Sequence, residues 1–295
     1  MQLADVKLDL SSAPADDSRR EPVQVIAVTG GKGGTGKTSI SVNLAHGLAR
    51  SGRRTMLLDA DLGMANVDVL LGLSPQRTLF DVVNGECRLE QIIMTTADGL
   101  MVVPAASGVR QLAQLGTREC AGLVRAFSDL DRPLDTLIVD TATGISECVA
   151  SFCRAATEII VVVCNEPASI RDSIAQIEML SADYGIHRFR ILANMVAGAR
   201  EGKVVFRKIV ATLADDHRQV LSYAGYIPRD QHLLEAIAGR ISVVSAFPRS
   251  RAAMALANLA RQVISWPQPV QAGGHVEFFV ERLIQNENSG KEVTS

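Results

Sequence analysis

The sequence predicts an α/β protein, a doubly wound and mostly parallel sheet with helices on both faces. Three observations predict it. Short runs that are apolar along their whole length recur through the chain, as strands buried on both sides of a sheet require. Helical patterns separate these runs, so successive strands are joined by crossovers. A glycine-rich turn lies directly between the first run and a helix, and two later runs end in aspartate, where open α/β sheets place their ligands.

The first strand is Val23-Gln24-Val25-Ile26-Ala27-Val28-Thr29, and the helical pattern after the turn runs from about Lys37 to Arg50. Further strands are predicted at Thr55–Asp59, Leu100–Val103, Leu134–Asp140, Ile159–Cys164, Phe189–Asn194 and Ser222–Ile227. Helices are predicted at Ala168–Tyr184, Gly202–Asp216, Gln231–Ala238 and Ser250–Ser265. No repeat or linker divides this stretch, so residues 23–266 are expected to form one domain. Residues 1–22 are polar and read as a flexible arm. Residues 267–274, with two prolines and Gly273-Gly274, read as a linker. An amphipathic helix over 275–286 and a disordered tail over 287–295 follow.

Bulk properties narrow the function classes. The formal net charge of −2 gives no electrostatic case for a nucleic-acid or anionic-membrane partner. No apolar run reaches the roughly 18–20 residues that a spanning helix needs. Asp5, Lys7 and Asp9 interrupt any signal-like stretch, so a cytoplasmic location is expected. The five cysteines, Cys87, Cys120, Cys148, Cys153 and Cys164, contain no C-x-x-C pair and read as free, mostly buried thiols.

Gly31-Lys32-Gly33-Gly34-Thr35-Gly36-Lys37-Thr38 has the spacing G-x-x-x-x-G-K-[ST], with Ser39 next on the helix. Glycines in such a loop let backbone N–H groups converge on phosphate oxygens, and the helix adds its positive end. Lys37 is expected to reach the β- and γ-phosphates, and the Thr38 hydroxyl to ligate Mg²⁺. ATP with Mg²⁺ is the implied ligand. The second strand leads into Asp59-Ala60-Asp61-Leu62-Gly63, a D-x-D at a strand end. Leu137-Ile138-Val139-Asp140 runs into Thr141-Ala142-Thr143-Gly144-Ile145, four apolar residues closing on aspartate. Asp140 is expected to hold Mg²⁺ through water.

Lys32, an additional lysine inside the loop, makes Lys32–Thr38 resemble the signature K-G-G-x-x-G-K-[ST] of the deviant Walker A ATPases, the MinD/ParA family. The resemblance spans about Val23 to Gln285. It implies that Lys32 crosses a dimer interface to the partner's nucleotide, so that the protein is an ATP-dependent homodimer with slow, switch-type hydrolysis. It implies that Lys32, Lys37 and Asp61 are catalytic, with Asp61 positioning or deprotonating the attacking water. Asp59 either supports Mg²⁺ and the loop or caps the strand end. Gly144 is expected to turn an N–H to the γ-phosphate. Thr143 departs from the alanine usual before that glycine. Asn194 and Pro228 are expected to frame the adenine, and Asn165–Asp172 to lie beside the dimer interface.

Val103–Gly108, Ala246–Ser250 and His275–Leu283 resemble the branch of flagellar-number regulators, the FleN/FlhG type. That branch implies control of flagellar number and placement, with a flagellar master transcription activator of the AAA+ enhancer-binding type as partner. It also names a flagellar signal-recognition-type GTPase, although residues 1–22 lack the D-Q-A-x-x-L-R element by which some members stimulate it. For the C-terminal segment two readings stand. It makes reversible contact with the inner face of the membrane, or it docks on the domain; Glu277 and Glu281 offset Arg282 and weaken attraction to anionic lipid.

Three alternatives use the same core. A division-site regulator is the nearest. A DNA-partitioning ATPase would use Arg188, Arg190, Arg200, Lys203, Arg207 and Lys208, but the net charge is negative and no direct DNA binding is expected. An iron–sulfur carrier would draw on Cys148 and Cys153.

Overall fold

The structure is a computed structural model, and it describes residues 22–106, 115–213, 219–267 and 278–279. One eight-stranded sheet runs through it in the order β3-β4-β2-β5-β1-β6-β7-β8. The strands are β1 (Gln24–Thr29), β2 (Thr55–Ala60), β3 (Met94–Thr95), β4 (Met101–Val103), β5 (Thr136–Thr141), β6 (Glu158–Cys164), β7 (Arg188–Val196) and β8 (Val220–Pro228). All pairings are parallel except that of the short edge strand β3 with β4. The sequence reading contained every strand but β3, whose two residues are too few to carry a pattern.

β1, β2, β5 and β6 are buried at every position. Helices must therefore cover both faces, since an apolar strand face gains stability only when it is removed from water. The helices are α1 (Lys37–Arg50), α2 (Val67–Leu71), α3 (Leu79–Val83), α4 (Thr117–Ser128), α5 (Glu147–Ala155), α6 (Pro167–Tyr184), α7 (Ala199–Leu213), α8 (Gln231–Ala238), α9 (Val243–Ala246) and α10 (Arg251–Ser265). On one face Leu44 and Leu48 of α1 pack with Leu256 and Leu259 of α10. That contact is close because Gly47 faces Ala260: a Cβ at 47 would stand 3.3 Å from the alanine methyl. On the other face α4 and α5 cover β2 and β5, and α6 and α7 cover β6 and β7.

β1 lies between β5 and β6, so chain crossovers depart from it in both directions. Such a switch point opens a crevice at the carboxyl ends of the strands. The loop after β1, the end of β5 and the start of α6 all open there.

Two expectations need correction. Cys120 and Cys148 are joined by a disulfide, not free. They lie 28 residues apart in sequence, so no spacing signal marks them; only the packing of α4 beside α5 brings their Cα atoms to 5.8 Å. Cys87, Cys153 and Cys164 are free, and the last two are buried. Arg190, weighed as a DNA-facing residue, instead makes two hydrogen bonds to Glu158, at 2.7 and 2.8 Å, and stacks 3.9 Å from the Trp266 ring.

The N-terminal arm to residue 21, the linker from residue 268 onward and the tail lie outside the described residues. Of the segment read as an amphipathic helix, only Phe278 and Phe279 are described. They form a turn rather than helix, with Phe279 at φ 57°, and both are buried. Phe278 stands edge-on to Phe127 of α4 at 5.3 Å and stacks on Phe152 of α5 at 6.2 Å. The disulfide staples the same two helices that seat this pair.

Closing a loop of that length restricts the unfolded chain by about 3 kcal/mol. Reduction, or Cys120→Ser, is expected to lower the thermal midpoint by roughly 5–10 °C. The two treatments should not add. A reductant-insensitive wild-type midpoint in scanning fluorimetry would show that the bond does not form.

Candidate functional site: a phosphate loop with two buried carboxylates

The loop from Gly30 to Gly36 is held from two sides. A Cβ at Gly31 would lie 2.2 Å from the backbone of Asp172, so the loop crosses α6 where no side chain fits. Gly36 has φ 88° and stands where a Cβ would be 2.5 Å from Asn194 Nδ2. Asn194 donates to the Thr35 carbonyl at 2.7 Å. Asn194 is thus a strut of the loop from the end of β7. α1 begins at Lys37 with no side-chain cap and no acidic residue in its first turn. Its leading N–H groups and dipole are left for an anion.

Lys37 is buried, and burial lowers its pKa against the pull of Asp140 and Asp61. Asp140 ends the same crevice. Its Oδ1 accepts from Ser41 Oγ at 2.7 Å. The Thr38 hydroxyl lies beside the carboxylate and favours its charged form, while Oδ2 is buried with no hydrogen bond of good geometry. Burial nevertheless pushes the Asp140 pKa up to about 6. A buried amine beside a carboxylate with a free oxygen fits a phosphate-bound Mg²⁺, which would neutralise both deficits.

Asp59 and Asp140 are register partners on β2 and β5. Burial first, and then the neighbouring Asp140, raise the Asp59 pKa well above the usual carboxylate range. Asp59 accepts from the backbone N–H groups of Asp61 at 3.2 Å and of Asn66 and Val67 at 3.0 Å. It shapes the loop that presents Asp61. Asp61 is half-buried at the mouth, and its Oδ1 accepts from Met64 N at 3.2 Å.

Gly144 has φ 85°, a conformation in which a side chain would be strained, and its carbonyl accepts from Gln176 Nε2 at 2.9 Å. Thr143 is exposed. Lys32 is held at 2.7 Å by Glu166 Oε2, and both side chains are largely in solvent. The pairing raises the lysine pKa and lowers that of Glu166. Pro228 ends β8 opposite Val196 of β7, which places it at the same sheet edge as Asn194. Pro228 also lines a cavity of about 420 Å³ with Tyr226, Arg251 and Met254, between β8 and α10.

Sequence reasoning missed Ser41 and Gln176. Ser41 lies four residues after Lys37, at helical spacing, which was the available signal. Gln176 looks like any polar residue on a helix.

The Asp140 shift carries a pH sign. A carboxyl raised in the folded state favours folding below its unfolded pKa and loses that contribution as pH rises through about 6. In chelator at pH 7.5, Asp140→Asn, which removes the buried negative charge, is expected to raise the thermal midpoint. The same variant should lose the extra stabilisation that Mg²⁺ adds to ADP. A destabilised variant in thermal melts would refute the electrostatic strain.

The family described as the CobQ/CobB/MinD/ParA nucleotide binding domain matches residues 26–243. The chain is 52% identical to the antiactivator FleN of Pseudomonas aeruginosa over 272 residues, covering 92% of this chain and 97% of that one. It is 33% identical to the flagellum site-determining protein YlxH of Helicobacter pylori over 184 residues, 62% of each chain. Among solved structures it resembles the septum site-determining protein MinD of Pyrococcus horikoshii, complexed with Mg-ADP. There the TM-score is 0.67 at 26% identity, over 82% of this chain and 96% of that one. The loop, the paired strand-end aspartates and these matches lead to one assignment: the chain belongs to the CobQ/CobB/MinD/ParA family of nucleotide-binding proteins.

Proposed function

We propose that the protein is an ATP-driven switch that hydrolyses ATP with Mg²⁺ at slow turnover, dimerises in its ATP state and limits flagellar number by restraining a flagellar transcription activator. Co-burial of Lys37 with Asp140, whose Oδ2 has no partner, carries the catalytic half of this reading. The 52% identity to an antiactivator, spread over nearly the whole of both chains, carries the biological half.

In this reading the leading N–H groups of α1 and the Lys37 ammonium hold the phosphates. Thr38 and Asp140 hold Mg²⁺, which when bound draws charge from the phosphate oxygens. Asp61 orients the attacking water, and the Asp59 contacts keep its loop in place. Lys32 reaches a second subunit. Its present partner Glu166 does not prevent this, because an ion pair at the solvent-facing surface is screened by water and salt and is weak. Contact with the membrane belongs to the same reading and requires Phe278 and Phe279 to leave their seat on α4 and α5.

Lys37→Ala is expected to abolish phosphate release from Mg-ATP. Lys32→Ala should keep ADP binding within about threefold, a difference under 1 kcal/mol, and lose the ATP-dependent dimer in light scattering. Wild-type protein that stays monomeric with a non-hydrolysable ATP analogue would refute the dimer. In the organism, deleting the gene should raise the number of flagella per cell seen by electron microscopy, with rescue by wild type and not by Lys37→Ala. An unchanged count would remove the flagellar assignment and leave the ATPase standing.

A further inference from the structure

Helix α6 buries a polar stripe. Ser169, Ser173 and Gln176 recur at helical spacing, and each is at 0% exposure. Ser169 Oγ accepts from Cys164 N at 3.0 Å, where β6 ends. Ser173 Oγ has no hydrogen-bond partner. Gln176 Nε2 donates to Thr29 Oγ1 at 3.0 Å and to the Gly144 carbonyl at 2.9 Å. Its Oε1 is buried without a partner. A carbonyl can only accept, so the amide must turn its nitrogen toward Gly144, and both N–H bonds of that nitrogen are then used.

The two acceptors matter for where they sit. Thr29 is the last residue of β1, one step before the phosphate loop. Gly144 lies four residues after Asp140, in the loop that closes the crevice. A trans peptide points its N–H opposite to its carbonyl, so holding the Gly144 oxygen inward also turns the Ile145 N–H outward. The same helix touches the phosphate loop twice more. Its Asp172 backbone faces Gly31, and Glu166 at its start holds Lys32.

We propose that Gln176 is a positioning residue for ATP hydrolysis. One buried amide nitrogen ties the loop after Asp140 to the end of β1, so that the Gly144–Ile145 peptide is held in a set orientation with the Ile145 N–H turned away from α6 toward the bound phosphate. Any movement of that loop is thereby carried into α6, the helix that also bears the partner of Lys32. This rests on the ATPase reading above.

Gln176→Met keeps the side chain's length and removes its donors. The expected result is a fall in kcat for Mg-ATP of about tenfold or more. KM for ATP and ADP affinity should stay within about threefold, the signature of an interaction that acts on the reacting state. Hydrogen exchange should quicken in the segment 141–146 and stay unchanged in 30–38. Unaltered kcat together with unaltered exchange would overturn the proposal. So would a parallel loss of kcat, ADP affinity and thermal midpoint, which is what a packing role produces. A wild type without turnover would refute the ATPase reading instead, and the exchange measurement would still decide whether Gln176 holds the Gly144 loop.

Discussion

Two carboxylates stand side by side on neighbouring parallel strands, buried, with a buried lysine at the mouth of the same crevice. Asp59 and Asp140 are in register, so their proximity is set by the pairing of β2 with β5 and cannot be relaxed by side-chain rotation alone. Burial disfavours both charges. Much of the surrounding chain works to offset that. Three backbone N–H groups turn to Asp59, while Ser41, Thr38 and Lys37 converge on Asp140. What is left unbalanced is one oxygen of Asp140 and the desolvated amine of Lys37. A magnesium-bound phosphate would supply the complementary charges.

The phosphate loop is rigid because its glycines are contact points as well as turns. Gly31 is pressed on the α6 backbone, and Gly36 on the Asn194 side chain that braces Thr35. A loop clamped in this way keeps its N–H groups oriented before the ligand arrives, which is the condition for electrostatic stabilisation without reorganisation. Lys32 alone points away, into a weak exposed pair with Glu166.

Away from the crevice, a second set of contacts joins α4 to α5. The Cys120–Cys148 bond and the Phe127–Phe278–Phe152 cluster bind the same two helices. The C-terminal phenylalanines contribute to the apolar cluster of the domain while they occupy that seat.

The fold class, the positions of the long strands along the chain, the phosphate loop and the strand-end aspartates were legible in the sequence. Each rests on a local pattern: a fully apolar run, a helical period, a glycine spacing. The sequence also determined that Lys32 is an additional cation in the loop. Only tertiary structure decided which atoms those residues meet. Asp59 serves loop geometry because three N–H groups of the following turn reach it. Asn194 became a strut because β7 ends beside Thr35. Cys120 and Cys148 pair because two helices pack, not because of any spacing. Ser169, Ser173 and Gln176 carry no pattern of their own in the sequence, and the fold buries all three. Polar residues at helical spacing look alike in a sequence whether they face water or a sheet. What separates them is the strand and loop brought against them by long-range packing.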